Sequence, residues 1–324
     1  MESLPKVSML LITYNQEHYV LDALKGALSQ DYANLEIVVS DDCSSDSTFD
    51  IVSAYCDNYQ GPHKLILNCN ISNVGIGANL NVAVSHASGE LFVVTAGDDI
   101  SLPQRVSSLV ACWLAHGRKP DLLASYLQDL DSAGNVHGVI KVDDLANYNS
   151  VDAWLQGHPV LIGAAQAWTR RLYDEFSGIP RGVVAEDMVM AFRAFGAGGA
   201  VTIPEPLVLY RRGGTTYKKR HLTVEAVVSA FVKKLDNTKI ELLHMIEVAG
   251  NKHATPALLT YLVNLYQKEC LIEFMLRKQA GWMGRFKYLV DAPGVALSFK
   301  IRMFFYSLAP WALRPFFLLK RAVR

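Results

Sequence analysis

The first hundred residues alternate between two hydrophobic periods. Residues 7–13, VSMLLIT, form an almost unbroken apolar run of strand length. Residues 19–30, YVLDALKGALSQ, then set Val20, Leu21, Leu24, Ala27 and Leu28 on one face of a helix. The change of period recurs. LEIVVS (35–40), KLILN (64–68) and ELFVVT (90–95) read as strands. Asp46 stands where an N-cap belongs, ahead of a helix whose apolar side is Phe49, Ile51, Val52 and Tyr55, and a further helix is expected over 76–86. Strands that are apolar on both faces and separated by helices predict an α/β fold, its central sheet mostly parallel and flanked by helices. Past about residue 222 the alternation stops, and 224–276 reads as two long amphipathic helices.

Polar clusters interrupt this pattern at the strand ends. The first strand runs into Thr13, Tyr14 and Asn15, the second into Asp41 and Asp42, and the fourth into Gly97, Asp98 and Asp99. Parallel strands put their carboxyl ends along one edge, where open α/β sheets bind ligands. Any one cluster is an ordinary solvated turn; three on a common edge mark a site. Four carboxylates drawn together there hold their protons more tightly and destabilise the fold unless a cation neutralises them. No His or Cys stands nearby at metal-ligand spacing. Carboxylate oxygen alone suits a hard divalent ion, Mg²⁺ or Mn²⁺, and through it a phosphate-bearing ligand. Neither G-x-x-x-x-G-K-[ST] nor G-x-G-x-x-G occurs, which argues against P-loop and Rossmann dinucleotide sites.

Charge and cysteine usage add two constraints. Lys plus Arg balance Asp plus Glu at 31 each, but from Arg277 onward ten basic residues face a single acid, Asp291, so the earlier chain carries the excess of acids. That balance gives no reason to expect a nucleic-acid partner. Five scattered cysteines without a C-x-x-C pair form no zinc signature and suit a reducing compartment. Glu2 precedes a short apolar run with no basic flank or cleavage site, so a cytoplasmic protein is expected.

The segments VSMLLITYNQEHYVLDALKGALSQDYANLEIVVSDDCSSDST and NVGIGANLNVAVSHASGELFVVTAGDDISLPQRV resemble the nucleotide-binding half of family 2 glycosyltransferases of the GT-A fold. The likeness spans residues 5–110 and, less closely, 111–215. It implies a GT-A catalytic domain over 1–221, with a nucleotide-binding half (1–110) and an acceptor half (111–221), followed by a helical, basic extension (222–324). It further implies a nucleoside-diphosphate sugar donor, most often a UDP-sugar in this family, and Mn²⁺ or Mg²⁺. By the resemblance, Thr13, Tyr14 and Asn15 line the nucleotide pocket, Asp41 pairs with the base, and Asn79 lies near the nucleotide. Asp98 then faces the ribose or sugar and Asp99 ligates the metal. The chain departs from the family at Ala96, where many relatives carry an acid, and at Cys43, where others carry Gly.

On the acceptor side, VVAEDMVMAFRAFGAGG (183–199) opens a helical pattern with Glu186 and Asp187. Acids in a first turn stabilise the helix dipole by a few tenths to about 1 kcal/mol whatever else they do. The resemblance gives them chemistry: Asp187 as catalytic base, Glu186 as a positioning residue or acceptor contact, in a single-displacement, inverting transfer. Gly213 stands where relatives have the His of Y-R-x-H. Arg211, Arg212, Lys218, Lys219 and Arg220 either bind pyrophosphate or form a solvated loop. His158 and Trp168 are candidate acceptor contacts, though a Trp of this kind is as readily core.

The last forty residues are aromatic, apolar and basic. Pro310, Arg314 and Pro315 interrupt the run from Met303 to Leu319, which disfavours a spanning helix. A helix lying in the plane of an anionic membrane fits, as does a helix packed on the catalytic domain. With the membrane reading, the acceptor is a lipid-linked glycan of bacterial polysaccharide assembly and the protein is peripheral on the inner face of the cell membrane. The long helices over 224–276 also offer a surface for a second copy. Two other functions compete. One is a catalytically inactive nucleotide-binding or membrane scaffold protein of the same fold, for which Ala96 and Gly213 speak. The other is a nucleotidyltransferase, against which the lack of a Gly-rich N-terminal loop with a following Arg and Lys speaks.

Overall fold

The computed structural model describes residues 4–212, 223–277, 281–291 and 293–313, without the side chains of 290 and 291. The chain divides into two compact units, Met1–Tyr217 and Lys218–Arg324.

In the first unit, β1 (Val7–Thr13), α1 (Val20–Leu28), β2 (Leu35–Asp41), α2 (Thr48–Cys56), β3 (Lys64–Cys69), α3 (Ile76–His86) and β4 (Leu91–Ala96) follow the alternation of hydrophobic period. β5 (Ile100–Ser101), α4 (Arg105–Ala115), β6 (Leu122–Leu130), β7 (Val136–Ile140), β8 (Gln166–Thr169), α5 (Arg170–Glu175), α6 (Glu186–Phe195) and β9 (Ala200–Arg211) complete it. The sheet order is β3-β2-β1-β4-β8-β6-β9-β5, with β7 on the side of β6. The run β3-β2-β1-β4 is parallel throughout. Beyond it the sheet is mixed: β8 runs antiparallel to both β4 and β6, and β9 parallel to β6. Within the parallel run β1, β2 and β4 are buried along nearly their whole length, whereas β3, at the sheet edge, is half-buried to exposed.

On one face of the sheet, Met9, Leu11, Ile37, Val39 and Val93 pack under Val20 and Leu24 of α1 and Val106, Leu109 and Trp113 of α4. Burying each such side chain contributes about 1.5–3 kcal/mol. Gly26 lets α1 approach closely, because a Cβ there would lie 2.9 Å from the carbonyl oxygen of Ser101. Asp46 is not the N-cap of α2; Ser47 occupies that position, and the Asp46 carboxylate instead accepts from the backbone N–H of Thr48 (3.0 Å) and of Glu17 (3.1 Å). Trp168 is core, fully buried with its indole N–H donating to Gln166 Oε1 at 2.8 Å. At the amino ends of the parallel strands, buried Glu36 accepts from Ser8 Oγ (2.7 Å) and the Ser88 backbone N–H (2.5 Å) and pairs with Lys6 (2.9 Å).

The second unit is helical. α7 (Val224–Asn251) and α8 (Pro256–Leu276) form a hairpin. Thr223 and Thr255 cap their first turns through side-chain oxygens. Lys239–Glu273 (2.7 Å) and Arg277–Asp236 (2.6 Å), one turn apart, tie the middle of α7 to the end of α8. α9 (Trp282–Asp291) and α10 (Leu297–Leu308) follow. Leu235, Leu271, Ile272, Met275 and Met303 form this unit's core, joined by Tyr288 and Leu289 of α9 and by Phe299 and Tyr306 of α10. No helix among the described residues is long and apolar enough to cross a membrane. Gly213, Lys218, Lys219, Arg220, Arg314, Pro315 and the rest of 314–324 lie outside the described residues.

Candidate active site

The strand registers bring the polar clusters together. Thr13 stands opposite Asp41 across β1 and β2, and Ile12 opposite Ala96 across β1 and β4. These carboxyl ends open on a cleft of about 670 Å³. Thr13, Tyr14, Asp42, Asp98 and Asp99 line it from the strand ends, and Gly75, Ile76 and Asn79 from the start of α3. The later half of the unit contributes Leu161–Ala164, Val184–Asp187, Tyr210 and Arg211.

Two contacts explain why residues so distant in sequence share the cleft. Asn81 of α3 brackets Ile179, donating to its carbonyl (2.7 Å) and accepting from its N–H (2.9 Å), and so anchors the segment that leads into α6. Gly77 meets the same segment, since a Cβ there would lie 2.9 Å from the Val183 carbonyl oxygen. Glu186 and Asp187, which begin α6, therefore line the same cleft as the start of α3. Gly163 backs them: its Cβ would come within 3.0 Å of Glu186 Oε1.

Of the two acids that end the second strand, Asp42 lines the cleft and Asp41, the one expected at the base, does not. Asp41 is completely buried. Its carboxylate accepts from Thr13 Oγ1, the Ser44 N–H and Ser44 Oγ, each at 2.7 Å, so it fastens the β1 and β2 ends to each other. Asp42 accepts from the backbone N–H groups of Val74 and Gly75, both at 2.8 Å, and from Asn70. It thereby orders the entry to α3, where Gly75 adopts a φ of 86° that favours glycine. Asn79 lines the cleft as a bracket, accepting from Ser40 Oγ (2.6 Å) and donating to the Ser40 carbonyl (2.9 Å). Asn15 does not line it: with φ at 51°, its side chain turns to accept from the Ser45 N–H at 2.8 Å.

Asp99 is the most perturbed acid of the cleft. Burial, and then the charge of Asp98, push its carboxyl up to about 8, against the Arg211 N–H that donates to it at 2.8 Å and the charges of Arg105 and Arg211. Burial also raises Asp98. Arg211, on the lining, is committed to the fold: its Nε donates to the Asp98 carbonyl (3.0 Å), and its guanidinium lies 4.4 Å from the Tyr19 ring centroid. Arg212 and His158 do not line the cleft. The Arg212 guanidinium forks onto the Asp129 carboxylate, and the exposed His158 ring lies 4.6 Å from that of Trp154.

Arg105 is a contributor that sequence pattern alone passes over. It begins α4, where a surface cation would be ordinary, yet it is fully buried. It donates to the carbonyls of Val94 and Ala164, both at 2.7 Å, and to Ser101 Oγ at 2.9 Å. One guanidinium thus joins the strand leading to Asp98 and Asp99 with the segment that backs Glu186. Burial lowers its pKa to about 9, while the nearby Asp99 charge works the other way.

A divalent cation fits this donor set in part. Asp98 and Asp99 are hard oxygen ligands whose crowding a cation would relieve. Among the described residues no group of three His, Cys, Asp or Glu side chains gathers at one point. Further ligands must then come from a bound anion or water.

The model of the family "Glycosyl transferase family 2" matches residues 8–137. Among curated relatives, a Bacillus subtilis (strain 168) protein named as a glycosyltransferase, EpsE, is 39% identical over 111 residues, covering 34% of this chain and 39% of its own. The Mycobacterium tuberculosis (strain H37Rv) protein Rv1520, uncharacterized, is 27% identical over 210 residues, covering 64% of this chain and 58% of its own. The chain thus spans less than two thirds of either relative. Among solved structures, S. aureus TarS 1–349 in complex with UDP-GlcNAc superposes with a TM-score of 0.58 at 18% identity, covering 98% of this chain and 87% of that one. The mannosyltransferase PcManGT of Pyrobaculum calidifontis, in complex with GDP-Man and Mn²⁺, gives 0.54 at 17% identity, covering 96% and 87%. At these identities the likeness is one of fold, the α/β architecture of GT-A glycosyltransferases.

Proposed function

Residues 8–137 match glycosyl transferase family 2, and on that premise we propose that this chain is a glycosyltransferase that moves a sugar from a nucleoside-diphosphate donor, a UDP-sugar in the favoured case, to an acceptor hydroxyl with inversion. The observation that carries the reading is the shared cleft: Asp42, Asp98 and Asp99 on the strand ends and Glu186 and Asp187 at the start of α6 line one space. An anionic donor needs charge compensation at the first group, and an acceptor hydroxyl needs a base at the second.

In this reading Thr13, Tyr14, Asp42 and Asn79 shape the nucleotide end, with Asp42 taking the role expected of Asp41. Asp98 faces the ribose or sugar, and Asp98 and Asp99 hold Mn²⁺ or Mg²⁺ together with the donor. Bound there, such an ion supplies compensation for the charge that grows on the departing diphosphate. Asp187 removes the proton of the attacking hydroxyl, worth about 10²–10⁴-fold in rate, and Glu186 orients the acceptor. Leu161, Ile162, Val184 and Ala185 give the lining near Glu186 and Asp187 an apolar character. That favours an acceptor carried on an apolar group, such as a lipid-linked glycan of polysaccharide assembly presented at the cytoplasmic face of a membrane.

The test is an assay of donor hydrolysis and transfer across nucleotide-sugars, with and without Mn²⁺, on the wild type and Asp187→Asn. The reading expects turnover from one donor, its loss in Asp187→Asn, and nucleotide-induced thermal stabilisation that survives the substitution. Stabilisation by nucleotide with no turnover from any donor would favour the inactive binding or scaffold protein.

A further inference from the structure

Among the described residues, a group of large exposed apolar side chains gathers on α9 and α10. Each helix turns one face inward and leaves an apolar stripe outward. In α9, Tyr288 stacks on Phe274 with ring centroids 4.2 Å apart, and Arg285 donates to the Ser307 carbonyl at 2.9 Å. The opposite face carries Trp282 (66% exposed), Met283 and Phe286. In α10, Met303 is fully buried, whereas Leu297 (65%), Ile301 and Phe305 recur every fourth residue on the exposed side. Trp311 follows at 67%. A soluble helix ordinarily sets polar residues on that side.

Charge decides what covers these stripes. Exposed Lys287 and Arg302 flank them, with half-buried Lys300 beside, and Asp291 is the only acid between 281 and 313. A second copy of this chain docking by the same face would set like cations against one another. A hydrocarbon boundary beneath anionic headgroups satisfies both features: aromatic and aliphatic side chains enter the acyl margin, and Lys and Arg reach the headgroups. No described helix has the length and apolarity to go further than the interface.

We infer that the outward face of α9 and α10, built on Trp282, Phe286, Leu297, Ile301 and Phe305 with Lys287 and Arg302 at its flanks, docks on an anionic lipid surface. This deepens the reading of a membrane-presented acceptor, and its test is independent of turnover.

Sedimentation of the full chain with phosphatidylcholine vesicles, with or without phosphatidylglycerol, at low and high salt, provides that test. Binding is expected to the anionic vesicles at low salt and to weaken with salt. Lys287→Glu with Arg302→Glu weakens it by about tenfold or more. Leu297→Ser with Ile301→Ser and Phe305→Ser weakens it by at least as much, since the apolar groups that enter the acyl margin are removed. All these positions are exposed, so circular dichroism and nucleotide-induced stabilisation stay at wild-type values. Absence of binding to anionic vesicles, or equal binding by the variants, would overturn the inference. So would concentration-dependent dimerisation that the Ser variant abolishes, because the stripe would then belong to a second copy. Vesicle binding without transferase activity would leave this inference standing and remove the enzymatic reading.

Discussion

At the amino ends of the parallel strands Glu36 lies buried among donors, and at their carboxyl ends Asp99 lies buried beside another acid. Burial alone would raise both carboxyls. For Glu36, the hydrogen bonds from Lys6, Ser8 and Ser88 outweigh burial and hold it down to about 2. For Asp99, the Asp98 charge adds to burial and the carboxyl rises to about 8. The protein completes the first carboxylate itself, whereas the charges of Arg105 and Arg211 do not offset burial and Asp98 at the second. Two ends of the same strands thus serve different purposes, one closing the fold and the other open to a ligand that brings charge. On the proposed function, that ligand is a cation-bound nucleoside diphosphate.

Substitution of each acid sharpens the contrast. Asp99→Asn should lower transfer by about 10³-fold or more, the scale of a lost transition-state charge stabiliser. It should leave the ligand-free protein at least as stable as the wild type, since a destabilised carboxylate is gone. Glu36→Gln should do the reverse, costing about 1–3 kcal/mol in chemical denaturation with little change in activity per folded molecule. Equal loss of stability in the two variants would break the comparison.

The pH dependence follows from the same pair. The folded pKa of Glu36 is depressed below its ordinary value of 4.5 to about 2. Its contribution is therefore present above pH 4.5 and lost as pH falls toward about 2. Asp99 is raised from 3.8 to about 8. In the ligand-free protein it therefore erodes stability as pH rises from about 4 to about 8. Denaturation of the wild type and both variants from about pH 2 to about pH 8 should show Glu36→Gln flattening the loss of stability below pH 4.5 and Asp99→Asn flattening the loss between about pH 4 and about pH 8.

Smaller effects probe how the site is held. Asn81→Ala removes both bonds to Ile179, and each such bond is worth about 1 kcal/mol. Transfer should drop by about tenfold while nucleotide binding, which does not depend on the segment at Ile179, changes less; an equal loss of both would contradict the anchoring role. Cys43, at φ 58°, occupies a left-handed position that a side chain adopts at a cost of about 1 kcal/mol. Cys43→Gly should leave stability unchanged or raise it by up to that amount in equilibrium unfolding.

The parallel half was legible in sequence because β1, β2 and β4 are buried along nearly their whole length, while its helices bury one face. The expected 7–13 and 76–86 coincide with β1 and α3. The mixed half was not. β5 has two residues and β8 four, too short for a period to register, and β8 opens on the buried polar Gln166. Within the site, the acid pairs and the Glu186–Asp187 turn announced themselves by falling at element ends. Choosing Asp42 over Asp41 required knowing that Thr13 and Ser44 close over Asp41, a consequence of the β1–β2 register that neighbouring letters do not carry. Arg105 was hidden because burial of an arginine depends on carbonyls, Val94 and Ala164, contributed from opposite directions along the chain.

The most direct test of an open carboxyl rim is the melting temperature of the full chain at pH 8 with UDP, with Mn²⁺, with both and with neither, for the wild type and Asp99→Asn. If the rim awaits a cation-bound diphosphate, the rise with both ligands exceeds the sum of the separate rises, and the excess disappears in Asp99→Asn. A wild type that gains nothing from the combination, or an Asp99→Asn protein that gains as much, would contradict the account.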